Sequence, residues 1–97
     1  MIRSFANAAS EDLFNGVSSR AARAACPPEL WPVLRRTMTQ FNRVSDLREL
    51  AIPPGNRLER LVGSRRGQHS IRINQQYRMC FRREAGYADE VEVTDYH

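Results

Sequence analysis

The sequence predicts an α+β fold, in which helices from the first half of the chain pack on a mostly antiparallel sheet formed by the second half. Apolar residues recur with the helical period between positions 30 and 41, whereas short runs between positions 57 and 97 alternate apolar and polar residues. The links between these runs are too short for parallel crossovers, so the strands should pair antiparallel. With 97 residues, 41% of them apolar, the chain can bury one core, which predicts a single domain over residues 1–97.

The first quarter of the chain predicts short elements. Residues 1–5 can add an edge strand to the sheet. Residues 9–14 have the composition of a short helix, with Ser10 as its N-cap and Gly16 at its end. Residues 18–25 leave two possibilities open, a helix or a mobile stretch.

The main helix should begin near Pro27-Pro28, because proline is tolerated in the first turn of a helix. One stripe of this helix is apolar and is expected to pack on the sheet; it consists of Leu30, Trp31, Leu34, Met38 and Phe41. We expect Trp31 to belong to the core. A short helical turn is predicted at residues 45–50, and a break in regular structure at residues 51–55.

The strands of the second half should have two different faces, because successive side chains of a strand point to opposite sides. One face is apolar and carries Ile71, Ile73, Met79 and Phe81. The opposite face is predicted to be cationic and carries Ser70, Arg72, Asn74, Arg78, Cys80 and Arg82.

Composition points to an anionic partner. The formal net charge is +4, and all fifteen basic residues are arginines, whose planar guanidinium groups suit phosphate. Such a chain should bind nucleic acid or an acidic protein. Two cysteines, Cys26 and Cys80, are too few for a disulfide framework and lack the spacing of a metal site. We therefore expect no metal and no cofactor. With no membrane-spanning run and no signal-peptide core, we expect a cytoplasmic protein with reduced thiols.

Several short segments, in this order and spacing, resemble the HigB branch of the RelE/ParE toxin superfamily. They are residues 1–5, Pro54-Gly55-Asn56-Arg57-Leu58, Leu61, Gly63, Gly67, residues 70–74, residues 77–81 and the terminal Asp95-Tyr96-His97. The resemblance covers nearly the whole chain. It implies a RelE-like microbial RNase fold, with two N-terminal helices packed on a twisted, mostly antiparallel sheet of about four strands.

The resemblance also implies a function. Toxins of this branch belong to type II toxin–antitoxin systems, enter the ribosomal A site and cut mRNA during translation. A HigA-like antitoxin with a helix-turn-helix domain holds them inactive, and the complex binds operator DNA through the antitoxin. The partners expected from the resemblance are therefore this antitoxin, the ribosome and mRNA.

Metal-independent cleavage of RNA needs cations around the phosphate and groups that move protons. Arg78 stands where the family has a strand arginine, and Arg72 lies on the neighbouring strand, so both can clamp one phosphate. The same arginines could instead simply solvate the outer face. The resemblance makes His97 the acid or base, Tyr96 a group that stacks on a base or binds phosphate, and Asp95 an orienting group. A frayed C-terminus is the alternative for all three.

One stretch departs from the family pattern. Many relatives have Leu-His-Pro-Leu-Lys-Gly where this chain has Leu58-Glu-Arg-Leu-Val-Gly63. Glu59 replaces the histidine and can be a general base, or can be a solvent-facing residue paired with an arginine. Val62 replaces the lysine, and Arg60 can supply the missing cation. His69, where relatives often have an aromatic residue, is expected to be structural.

The basic loop at residues 63–67 can follow an RNA backbone, although it could equally be a solvated turn. The arginines predicted to bind RNA are Arg57, Arg60, Arg65, Arg66 and Arg82. Two other functions keep the same fold: a ParE-like inhibitor of gyrase without catalysis, and a weakened toxin that acts mainly through its antitoxin and autoregulation. The set of Asp95, Tyr96 and His97 with Arg72 and Arg78 favours cleavage.

Overall fold

The computed structural model describes residues 2–43 and 58–95. Helices α1 (Ala8–Asn15), α2 (Arg20–Ala25) and α3 (Trp31–Arg43) come first, and a 3₁₀ turn, Pro28–Leu30, leads into α3. Four antiparallel strands follow in the sheet order β1-β2-β3-β4: Glu59–Arg60, Gln68–Arg72, Tyr77–Glu84 and Tyr87–Asp95. The predicted α+β class is confirmed, with three helices in the described segments rather than two. The helical turn and the break predicted within residues 45–55 lie outside the described residues.

Only some of the residues at which α1 and α2 begin and end were predicted from the sequence. Asn7 is the N-cap of α1 and accepts a hydrogen bond from the Ser10 backbone at 2.9 Å, so the prediction of Ser10 as the cap is wrong. Ser10 is instead buried, and its Oγ accepts a hydrogen bond from the Val93 amide of β4 at 3.0 Å. Gly16 ends α1 in the left-handed conformation, as expected. Residues 18–25 contain a true helix, α2, capped by Ser19.

Helix α3 packs on the apolar face of the sheet. Leu34, Met38 and Phe41 are fully buried, as the helical period predicts. The ring of Phe41 meets the ring of Phe81 on β3 edge to face, with the centroids 4.5 Å apart. Trp31 packs against this core while remaining partly exposed.

A bulge in β4 decides which of its side chains enter the core. Cys80 pairs with Glu92 and Arg82 pairs with Asp89, so β4 carries one residue more than β3 between these pairs. Glu90 lies in this bulge with φ of 53°. The bulge reverses the alternation, which lets Ala88 before it and Val91 after it both face the core. The N-terminal segment bridges β4 in parallel at two points, Ile2 with Ala88 and Phe5 with Val91, so residues 2–5 lie along β4 as predicted but form isolated bridges rather than a strand.

Candidate functional site

The face of the sheet that lies away from α3 is called the outer face here. Strand register places on it Glu59, Gln68, Ser70, Arg72, Arg78, Cys80, Arg82, Glu92 and Thr94. Its centre is not solvated, because Ser70 and Cys80 have no exposed surface and Arg78 is only 9% exposed. An arginine at this depth requires partners. The interpretation of Arg78 as a merely solvating residue is therefore wrong.

Arg78 is held by a hydroxyl and a carboxylate from the two preceding strands. Its Nε donates a hydrogen bond to Ser70 Oγ at 2.8 Å. Its Nη2 lies 3.8 Å from Glu59 Oε1, and the Glu59 side chain remains 53% exposed. Ser70 thus fixes the guanidinium plane, while the carboxylate beside it stays accessible to a ligand.

Arg72 completes the cluster. It lies directly opposite Arg78 in the antiparallel register of β2 and β3. Side chains at such positions have Cβ atoms only about 4.5–5.5 Å apart, and like charges placed there repel. An anion bound between the two guanidinium groups would remove this repulsion. The strand register therefore puts Arg72 on the same face as Arg78 and the Glu59 carboxylate, directly beside Arg78.

Arg82 of the outer face and Arg65, which reaches this face from the turn between β1 and β2, are paired with acids. Arg65 Nη1 donates to Gln68 Oε1 at 3.1 Å and to Glu92 Oε1 at 3.3 Å. Arg82 Nε donates to Glu90 Oε2 at 2.7 Å. The face is therefore a mixed-charge surface rather than the uniformly cationic one that the sequence predicted.

The remaining predicted residues are dispersed. Asp95 pairs with Tyr77, so its side chain belongs to the helix-facing side of the sheet, where it accepts a hydrogen bond from Gln76 Nε2 at 3.0 Å. Arg60 lies on that side too, and Arg66 is exposed in the turn between β1 and β2. Arg57, Tyr96 and His97 lie outside the described residues. The structure thus brings together Glu59, Arg72 and Arg78 but does not place Asp95 on their face.

Sequence reasoning missed two contacts on the outer face, that of Ser70 with Arg78 and that of Glu92 with Arg65. Alternation assigns Ser70 to the same face as Arg78, but only the register shows that its hydroxyl reaches the guanidinium. Glu92 lies on β4 opposite Cys80, and no local sequence pattern links it with Arg65, its ion-pair partner. Register between distant strands is the missing information in both cases.

The described residues offer neither a reactive thiol nor a metal site. Burial raises the pKa of the Cys26 thiol to about 11 and also raises the pKa of the Cys80 thiol, which keeps both protonated at neutral pH. Among residues 2–43 and 58–95, no group of three or more metal-binding side chains is arranged around one point. In the same segments, no helix has the length and apolar character needed to cross a bilayer.

Helices on one side of a four-stranded antiparallel sheet, with a guanidinium pair on the other, define a small RelE-like α+β class. The YoeB–YefM complex from Staphylococcus aureus contains a chain of this fold, which superposes with a TM-score of 0.60 at 12% identity over 100% of this chain and 98% of that one. The sequence model of the HigB-like toxin family, described as RelE-like toxin of type II toxin-antitoxin system HigB, matches residues 4–97. The chain belongs to this family.

Two curated relatives match over shorter stretches. Toxin HigB-1 of Vibrio cholerae serotype O1 is 54% identical over 40 residues, which is 41% of this chain and 42% of that protein. An uncharacterized protein of Haemophilus influenzae is 34% identical over 58 residues, 60% of this chain and 57% of the relative. The chain thus spans about half the length of the curated relatives it matches.

Proposed function

We propose that this protein is the ribosome-dependent endoribonuclease of its toxin–antitoxin system. It cuts mRNA in the ribosomal A site, stops translation in the cytoplasm and thereby arrests growth. Membership of the HigB-like family supports the toxin role. The observation that carries the nuclease is the guanidinium pair of Arg72 and Arg78, opposite each other and next to the exposed carboxylate of Glu59.

The proposed reaction needs no metal. Glu59 takes the proton of a ribose 2′-OH, and the 2′-oxygen forms a bond to the adjacent phosphorus. The bond from phosphorus to the 5′-oxygen breaks, and an acid returns a proton to that oxygen. The products are a cyclic 2′,3′-phosphate and a 5′-hydroxyl. His97 is proposed as the acid, on the strength of the family resemblance.

Arg72 and Arg78 stabilise the charge that develops on the phosphate. Two guanidinium groups can each give two N–H donors to the phosphate oxygens, and such charge-assisted bonds are stronger than neutral ones. Ser70 keeps the Arg78 plane fixed before substrate arrives, so less reorganisation is needed in the transition state. In this scheme Glu59 exchanges its contact with Arg78 for the substrate hydroxyl.

The proposed partners follow from the family. A HigA-like antitoxin with a helix-turn-helix domain neutralises the toxin, and the complex contacts operator DNA through the antitoxin. The ribosome presents the mRNA. Arg82 of the outer face, together with Arg65 and Arg66 in the turn between β1 and β2, is proposed to contact the RNA backbone beyond the cleaved bond.

A primer-extension map of mRNA from cells induced for the toxin tests the nuclease. The variants are Glu59→Gln, Arg72→Gln and His97→Ala at matched protein levels, with Arg20→Gln on α2 as an exposed control. We expect new 5′ ends in translated regions for the wild type and the control, reduced at least about a hundredfold in the site variants. Growth arrest with intact mRNA would contradict cleavage and favour gyrase inhibition. Neither arrest nor cuts would favour a weakened toxin.

A further inference from the structure

A concave feature lies in the hairpin of β1 and β2, on the other side of β1 from Glu59. It is an open groove of about 650 Å³ lined by Arg60, Leu61, Val62, Gly63, Arg66, Gly67 and His69. This volume falls within the range of about 300–1,000 Å³ that is usual for small-molecule sites. Of its side chains, Arg60 and Arg66 are among the arginines predicted to bind RNA, and the proposed proton transfers use none of them.

His69 gives the groove an aromatic wall. Its ring stacks on Phe81 with centroids 5.8 Å apart and an interplanar angle of 22°. Burial lowers the pKa of His69, and the charges of Arg60 and Arg83 lower it further, so the ring is neutral at neutral pH. Its Nδ1 is buried without a hydrogen-bond partner among the described residues, which is unusual for a polar atom in a folded protein.

The rest of the lining combines apolar surface with positive charge. Of its apolar lining residues, Leu61 is buried, whereas Val62 is 83% exposed. A Cβ placed on Gly63 would meet no atom within 4 Å, so the groove is open on that side. Arg60 and Arg66 are both exposed at its border. A ligand that suits this lining has a flat aromatic part and an anionic part.

We propose that the groove binds one nucleotide of the RNA substrate, with the base against the His69 ring and the phosphate between Arg60 and Arg66. Bases stack on aromatic side chains irrespective of sequence, and arginine binds phosphate through paired N–H donors. The proposal rests on the proposed RNA cleavage and extends it. Glu59 and Arg60 are consecutive and face opposite sides of edge strand β1, so an RNA strand that crosses this edge reaches the outer face and the groove together.

Titration of the purified toxin with adenosine 3′-monophosphate, followed by NMR signals of the His69 ring and the groove amides, tests the site. Inorganic phosphate serves as the ligand without a base. We expect the groove signals to shift with the nucleotide and not with phosphate at the same concentration. Arg66→Gln and His69→Ala should each weaken nucleotide binding roughly tenfold, whereas Arg36→Gln, an exposed arginine on α3, should leave it unchanged.

Three results would overturn the groove proposal: no binding of the nucleotide, equal binding of phosphate and nucleotide, or unchanged affinity in Arg66→Gln, an exposed residue whose variant should fold. The cleavage map in cells separates this proposal from the function on which it rests. Cuts by the wild type together with no nucleotide binding overturn the groove alone. Nucleotide binding without any cuts overturns the nuclease and leaves the groove as a nucleotide site.

Discussion

Ser70→Ala should be the most informative single change, because it removes only the hydroxyl that holds Arg78. The bond from Arg78 Nε is 2.8 Å long, Ser70 has no exposed surface, and the Arg78 side chain is 11% exposed. The variant leaves a charged donor without this acceptor where little water reaches it. Hydrogen bonds to charged groups contribute about 1.5–3 kcal/mol, so we expect the free energy of unfolding to fall by about 2 kcal/mol. In a domain of this size, that corresponds to a loss of roughly 8–16 °C in Tm.

Urea unfolding followed by Trp31 fluorescence measures this loss. Ser64→Ala is the matched control, because Ser64 is exposed in the turn between β1 and β2 and should change stability by less than about 0.5 kcal/mol. A double-mutant cycle with Arg78→Met isolates the contact itself. If Ser70→Ala has the same effect with and without Arg78, the hydroxyl does not act through the guanidinium, and the reasoning about a preorganised arginine fails.

Two further predictions concern the core and the groove. Phe41→Ala should lower the free energy of unfolding by about 3–5 kcal/mol, since Phe41 is 1% exposed and packs on Phe81. Val62→Ala, at a position that is 83% exposed, should have almost no effect. Similar urea midpoints for the two variants would contradict the packing. The second prediction concerns His69, whose pKa is lowered in the folded protein by burial. The unfolded chain therefore binds more protons than the folded one as the pH drops below about 6.5, and the free energy of unfolding should fall there. His69→Phe should remove this loss, and equal pH profiles of unfolding from pH 7.5 to 5 for both proteins would refute it.

Much of the fold is predictable because two periods are clear in the sequence. The stripe through Leu34, Met38 and Phe41 needs only the helical repeat, and the alternation around Met79 needs only the strand repeat. Both predict which side of an element is buried without any information about its neighbours. The same reasoning fails for Ser10, whose position before two acids resembles a cap, because the amide that it binds is 83 residues away.

The candidate site was less predictable because it depends on register. Alternation along one strand gives the face of Arg72 and of Arg78, but only pairing shows that they stand opposite each other. The bulge at Glu90 has a further effect, since one additional residue reverses the two faces of β4. Asp95 follows that bulge, and its pairing with Tyr77 puts it on the side of the helices. The sequence of the short C-terminal segment gives no information about this reversal.

The ion pairs of the outer face reduce the positive charge that it presents to RNA. Three arginines there already have acidic partners: Arg65 with Glu92, Arg82 with Glu90 and Arg78 with Glu59. The pairs of Arg65 and Arg82 are partly or largely exposed, and such pairs contribute only about 0–1 kcal/mol, so a phosphate that binds two N–H donors can displace their carboxylates at small cost. Each exchange also releases an acid that repels the incoming RNA. The net attraction is therefore smaller than the number of arginines suggests, and it is concentrated at Arg72, for which the described residues provide no acidic partner.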